Sequence, residues 1–313
     1  MTDRVSLQLK WLHQSQFAGY YVAADKGFYE AAGLDVDIRV GGPGVDPERV
    51  VASGEAEFAQ GGGLESVLAA RAEGLPVVAV ATVFQKTDVV YIARAGSGIY
   101  SLADFAGRRV STWYTGIHLI LRAMLAEAGV SPASIEEVIQ GGSMQPFLDG
   151  DVDIAAATFY NQLPKLRSAG IDDLVLFDPA GHGIVIPRDP IITSEQLADQ
   201  EPSLVARFVE ASLRGWQHAF AQQGEAVESV LRRDPSLDAT LQTVMIAEIA
   251  KLALWGDGTA VGLGYLSNEA IRFTNDFLIR NGQLPSDSAA EGAARMGLWT
   301  DIRTTVHPLN SPR

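Results

Sequence analysis

The chain has 313 residues, enough at roughly 150 per domain for two domains with sizeable cores. Its 47% hydrophobic and 20% charged residues exclude disorder and fibrous structure, and no uncharged apolar run approaches the roughly 18 residues of a membrane helix. A formal charge of −14 without any basic run argues against nucleic acid and anionic membranes as partners, and the absence of cysteine removes disulfides, thiol catalysis and Cys-ligated metal.

In chain order, short β-branched runs alternate with helical patterns, the signature of βα units and a mostly parallel sheet. Val5 to Leu9 reads as a strand, Phe17 to Ala32 as a helix stopped by Gly33, and Leu34 to Val40 as a second strand. Pro47 to Ser53 is a short helix, Ala56 to Ala59 a strand, Leu64 to Glu73 a helix, and Val77 to Val83 a buried strand entered through Pro76. After VVYIAR (Val89 to Arg94) a second βα series begins. Its strands are Arg109 to Trp113, Ile135 to Ile139 and Val152 to Ala157, and its helices Leu102 to Phe105, Ile117 to Ala128, Met144 to Leu148 and Gln162 to Ser168. Leu174 to Phe177 and Ile184 to Pro187 read as short strands, and from Thr193 onward the pattern is almost purely helical.

Two βα lobes and a helical tail predict a discontinuous architecture, with residues 1–93 and 188–313 in lobe one and 94–187 in lobe two. VVYIAR would carry the chain out and GIVIP return it, two crossings forming a hinge flanked by Gly96 and Gly98 and by Gly181 and Gly183. Ligands of open parallel sheets bind beyond the carboxyl ends of the strands, so function is read there.

Those ends are rich in aromatic and amide groups. Trp11, Gln16 and Tyr20 follow the first strand, and Gly62 and Glu65 follow the third. Trp113, Tyr114, Thr115 and Gly116 follow the first strand of lobe two; Tyr160 and Asn161 follow Ala157, and His182 precedes the returning strand. Indole and phenol faces with carboxamides suit a flat, uncharged or weakly cationic heteroaromatic ring. Taken singly, Trp11 or Trp113 reads as packing; four similar strand ends together favour a site. The Gly61–Gly63 run reads as a tight turn or as an anion-binding nest, and Glu65 as a partner of the helix dipole or of a ligand amine. The histidines show no metal-ligand spacing, and neither a GxSxG elbow, a P-loop nor a dinucleotide fingerprint is present. No metal or cofactor is expected.

The segment LQLKWLHQSQFAGYYVAADKGFYEAAGLDVDI (Leu7 to Ile38) closely resembles the opening of bacterial ABC-importer substrate-binding proteins, in the family that also contains the yeast thiamine-pyrimidine synthase. Further matches are VASGEAEFAQGGG (Val51 to Gly63), RAEGLPVVAVATVFQK (Arg71 to Lys86), SLADFAGRRVSTW (Ser101 to Trp113), LRAMLAEAGV (Leu121 to Val130) and FLDGDVDIAAATFYN (Phe147 to Asn161). The resemblance implies a two-lobed type II periplasmic-binding-protein fold, α/β, that closes on a ligand held between the lobes. It further implies a monomer that hands its ligand to an ABC permease. The ligand it implies is a thiamine-precursor pyrimidine of the formylaminopyrimidine or hydroxymethylpyrimidine type, or else riboflavin. Sulfonate and nitrate binders of the wider family want a cation in the pocket, where only Lys10 stands beside the loop candidates. The synthase carries a reactive lysine and histidine where this chain has Gly61 and Glu65, and its cysteine-rich motif has no counterpart, so an enzyme is not expected. A cytosolic synthase-type enzyme and a ligand sensor are the rival readings. MTDRVSLQLKW has no apolar signal core. The expected location is periplasmic or lipid-anchored outside the cell if a leader preceded it, and cytoplasmic otherwise.

Overall fold

A computed structural model describes residues 2–288 and 290–302. Among the described residues, ten strands form two five-stranded sheets. The first contains β1 (Asp3–Gln8), β2 (Leu34–Arg39), β3 (Phe58–Gln60), β4 (Val77–Phe84) and β10 (Arg188–Ser194), ordered β2-β1-β3-β10-β4. The second contains β5 (Val89–Arg94), β6 (Arg109–Thr112), β7 (Glu136–Ile139), β8 (Ile154–Thr158) and β9 (Leu174–Phe177), ordered β7-β6-β8-β5-β9. In each sheet four strands run in one direction, and the strand arriving from the other lobe, β10 or β5, inserts antiparallel between its neighbours. The two-lobed α/β fold follows the sequence expectation.

The elements follow from their residues. β4 is apolar at all positions but Thr82 and buried throughout, as a strand covered on both faces must be. The expected helix from Phe17 to Ala32 forms as Ala18–Asp25 and Phe28–Ala31, broken at Gly27, whose φ of 71° no helix allows. One apolar core joins β1 and the helix Ala18–Asp25 to the C-terminal helices through Tyr20, Phe208 and Trp216. A second runs across both lobes: Leu64, Val67 and Leu68 of lobe one meet Ile120, Leu121 and Met124 of lobe two, with Phe277 and Leu278 of the helix Asn268–Arg280 beside them.

Two readings of the chain change. Ile184 to Pro187 is unpaired, and the returning strand is Arg188–Ser194, which the sequence assigned to a loop and a helical tail. Pro190 hid it: a proline argues against a central strand, and here it is accommodated just before a register irregularity at Ile191 and Ile192. The outgoing crossing also moves. Val89–Arg94 pairs along its length with β8 and β9, so the chain changes sheet between Phe84 and Val89 rather than after residue 93. Gly96 and Gly98 therefore lie at the far end of β5, away from the crossing, whereas Gly181 and Gly183 do lie between Phe177 and Arg188.

Candidate functional site

Between the sheets lies a cavity with about 540 Å³ of empty space, its open mouth included. Trp11, Gln14 and Gln16 line it from the loop after β1, and Trp113, Thr115 and Ile117 from the loop after β6. Thr158, Tyr160, Asn161 and Gln162 line it from the end of β8, and the crossings contribute Asp88 and Arg188. Trp11 and Trp113 are partly exposed; Tyr160 is buried and tilted against Phe84. The Trp113 indole is oriented by donating to the Gly141 carbonyl at 3.2 Å.

The polar groups form a continuous chain. Asn161 Nδ2 donates to Gln14 Oε1 at 2.9 Å, Gln14 Nε2 to Gln16 Oε1 at 2.6 Å, and Gln16 Nε2 to Asp189 Oδ2 at 2.8 Å. Asp189 also accepts from Gln60 Nε2 at 2.9 Å and pairs with Lys10, whose ammonium donates to the Gly62 carbonyl at 3.2 Å. Among the described residues Asp189 is the only non-glycine residue with a positive φ, 55°, a conformation that persists only where its surroundings enforce it.

Arg188, the preceding residue, pairs with Glu65 and, at 2.7 Å, with Asp88. The pair with Asp88 ties the two crossings to each other. Burial works against the charged guanidinium, but Glu65, Asp88 and Asp189 outweigh it and hold Arg188 ionised. Burial pushes Glu65 up to about 7 against the opposing charge of Arg188, and pushes Asp189 up to about 6 against Lys10. Both cations at the cavity are thus matched by carboxylates, leaving no free positive charge for an anionic ligand.

Of the residues singled out in the sequence, Trp11, Gln16, Trp113, Thr115, Tyr160 and Asn161 come together around this cavity. Six others do not line it. Tyr20 is fully buried against Trp216, with ring centroids 5.6 Å apart, because it falls on the core side of its helix. Gly62 lies behind the wall and offers no anion nest: its N–H donates to Glu48 at 3.0 Å, the Gly61 N–H to the Pro190 carbonyl and the Gly63 N–H to Ser66. Glu65 turns inward to Arg188. Tyr114 turns out of the cleft, stacks on His118 and donates to Glu137 at 2.7 Å. Gly116 is packed against Glu65 and Ser66, where an added Cβ would stand 2.6 Å from Glu65 Oε1. His182 is exposed on a surface turn.

Sequence reasoning missed Gln14, Asp88, Arg188 and Asp189. The signal for the last two was the strand end itself, unread because the proline-containing strand was unread. Among the described residues no group of three His, Asp or Glu side chains is placed to hold a metal ion.

Residues 14–226 match the family described as NMT1/THI5 like. The chain belongs to the NMT1/THI5-like family. It is 30% identical to the riboflavin-binding protein RibY of Chloroflexus aurantiacus over 90% of this chain and 82% of that one. It is 28% identical to a formylaminopyrimidine-binding protein of Halalkalibacterium halodurans over 73% and 70% of the two chains. A synthase of the family, the 4-amino-5-hydroxymethyl-2-methylpyrimidine phosphate synthase of Legionella pneumophila, is 27% identical over 77% of each. In fold the NMT1/THI5-like chain superposes on the alkanesulfonate-binding protein SsuA of Xanthomonas axonopodis pv. citri with a TM-score of 0.72, covering 93% of this chain and 98% of that one at 15% identity. The family resemblance seen in the sequence is thereby confirmed.

Proposed function

We propose that this protein is the solute-binding component of an ABC importer that captures a small heteroaromatic compound outside the cytoplasmic membrane and delivers it to a permease. The observation that carries this reading is the cavity between the sheets, walled by Trp11, Trp113 and Tyr160 and edged by Gln16 and Asn161. Aromatic faces from both lobes sandwich a planar ring, and the amides read its edge. A ligand touching both lobes at once favours the closed state over the open one, as importer chemistry requires. A thiamine-precursor pyrimidine is the ligand this small cavity suits best. The 30% identity to a riboflavin-binding relative favours a flavin as the second reading.

Catalysis has less support. The two positions that the sequence resemblance matches to the synthase's reactive lysine and histidine are Gly61 and Glu65, and Glu65 is occupied by its ion pair with Arg188. Native mass spectrometry of the gently purified protein, with chemical analysis of whatever it releases, tests the reading. Binding proteins return an added heteroaromatic compound chemically unchanged after prolonged incubation; conversion of that compound would contradict transport and favour an enzyme.

A further inference from the structure

Asp189 is fully buried and, when ionised, can only accept hydrogen bonds. That fixes the polarity of everything attached to it. Gln16 must turn its NH₂ toward Asp189, which leaves its oxygen for Gln14; Gln14 must then turn its NH₂ toward Gln16, which leaves its oxygen for Asn161. Asn161 is therefore obliged to spend its NH₂ on Gln14. Its Oδ1 is left buried and without a partner, in a residue only 8% exposed at the cavity wall. Flipping any one amide would set two NH₂ groups or two oxygens against each other. A second acceptor-only side chain, Asp88, lines the same cavity, while the available cations, Lys10 and Arg188, are committed to carboxylates.

We propose that Asp189, acting through Gln16 and Gln14, sets the hydrogen-bond polarity of the site, so that Asn161 presents a carbonyl oxygen and the protein selects rings that carry an N–H donor, such as an exocyclic amino group, on the facing edge. This rests on the heteroaromatic reading above and narrows it to amino-substituted heterocycles. Asp189 is a positioning residue: it touches no ligand and acts by orienting three amides in series. A buried acceptor left unpaired by the wrong ligand is what makes such a site selective.

The test is calorimetric titration with two probes of similar shape, 4-amino-2-methylpyrimidine and 4-methoxy-2-methylpyrimidine, the second lacking the donor. Wild-type protein should favour the amino compound roughly tenfold or more. Asp189→Asn, which tolerates the same backbone conformation and can present either an NH₂ or an oxygen to Gln16, should shrink or invert that ratio. Asn161→Leu, which leaves Asp189 and Lys10 paired, should also abolish the preference should the first variant fail to fold. Neutron diffraction from wild-type crystals reads the relay directly and should place deuterons on the Asn161 atom facing Gln14. Deuterons on the other amide atom of Asn161, the one without a partner, would overturn the proposal. Equal affinity of wild type for the two probes would overturn it while leaving heteroaromatic capture intact; failure of both probes to bind would overturn it together with the pyrimidine reading.

Discussion

Asn161, just past the end of β8, and Gln14, in the loop after β1, are joined by a 2.9 Å hydrogen bond that spans the cleft. It is a direct polar link between the lobes, and it forms part of the cavity wall. Gln14→Ala removes it and leaves the buried Asn161 amide without an acceptor. Ligand affinity should fall by about 1–3 kcal/mol, as for a buried hydrogen-bonding group that loses its partner. Calorimetry on the variant reads this, and an unchanged affinity would mean the link plays no part in holding the closed form.

The aromatic walls make a separable contribution. Trp11→Ala and Trp113→Ala should each weaken binding by at least ~0.5–1.5 kcal/mol, the stacking part alone, and more once lost area is included. Ligand should quench tryptophan fluorescence in the wild type and less in each variant. Both variants binding as wild type does would remove the sandwich.

Arg188 governs stability more than specificity. Arg188→Met strands Glu65 and Asp88 as buried carboxylates without a counter-charge, and unfolding in urea should show a loss of roughly 3–5 kcal/mol. Adding Glu65→Leu to that variant should recover part of the loss, since an apolar pair removes one uncompensated charge. Additive losses in the double variant would contradict the ion-pair account.

Much of this site was legible in the sequence, and the illegible part has physical causes. Trp11, Trp113, Tyr160 and Asn161 could be placed because the strands before them are readable: β8 is a buried apolar run, and β1 and β6 carry buried Val5 and Leu7 and buried Val110 and Thr112. Asp189 and Arg188 were hidden because Pro190 disguised β10, and a strand end cannot be read where no strand is seen. Tyr20 and Glu65 were misplaced for another reason. Both lie at the start of a helix after a strand end, yet which way a side chain leaves a helix depends on what packs against it, here Trp216 and Arg188.

Gly116 stands where the lobes touch. Its φ is 94°, and an added Cβ would lie 2.6 Å from Glu65 Oε1 and 3.0 Å from the Ser66 Cβ of lobe one. Gly116→Ala should therefore cost about 1–3 kcal/mol in backbone strain and keep the lobes from closing fully. Small-angle scattering at saturating ligand should give a larger radius of gyration than for the wild type. An identical radius would mean that this contact does not limit closure.

His118 titrates far from the ordinary imidazole range. Burial lowers its pKa to about 4, with Arg122 adding to the effect and Glu137 opposing it. A depressed pKa on a base means the folded state binds fewer protons than the unfolded one. Its stabilising contribution is complete above about 6.5 and is lost as pH falls toward 4. An NMR titration of the His118 ring should show a midpoint near 4; a midpoint near 6.5 would contradict the burial account.

The measurement that bears most directly on the central claim, capture of a planar heteroaromatic ligand between the lobes, is calorimetric titration of wild type and of the Trp11→Ala/Trp113→Ala/Asn161→Leu triple variant with a panel of pyrimidines and flavins. The account predicts one-to-one binding of at least one panel compound by the wild type and its loss in a triple variant that remains folded by circular dichroism. Binding that survives intact in the triple variant, or a wild type that binds none of the panel, would contradict it.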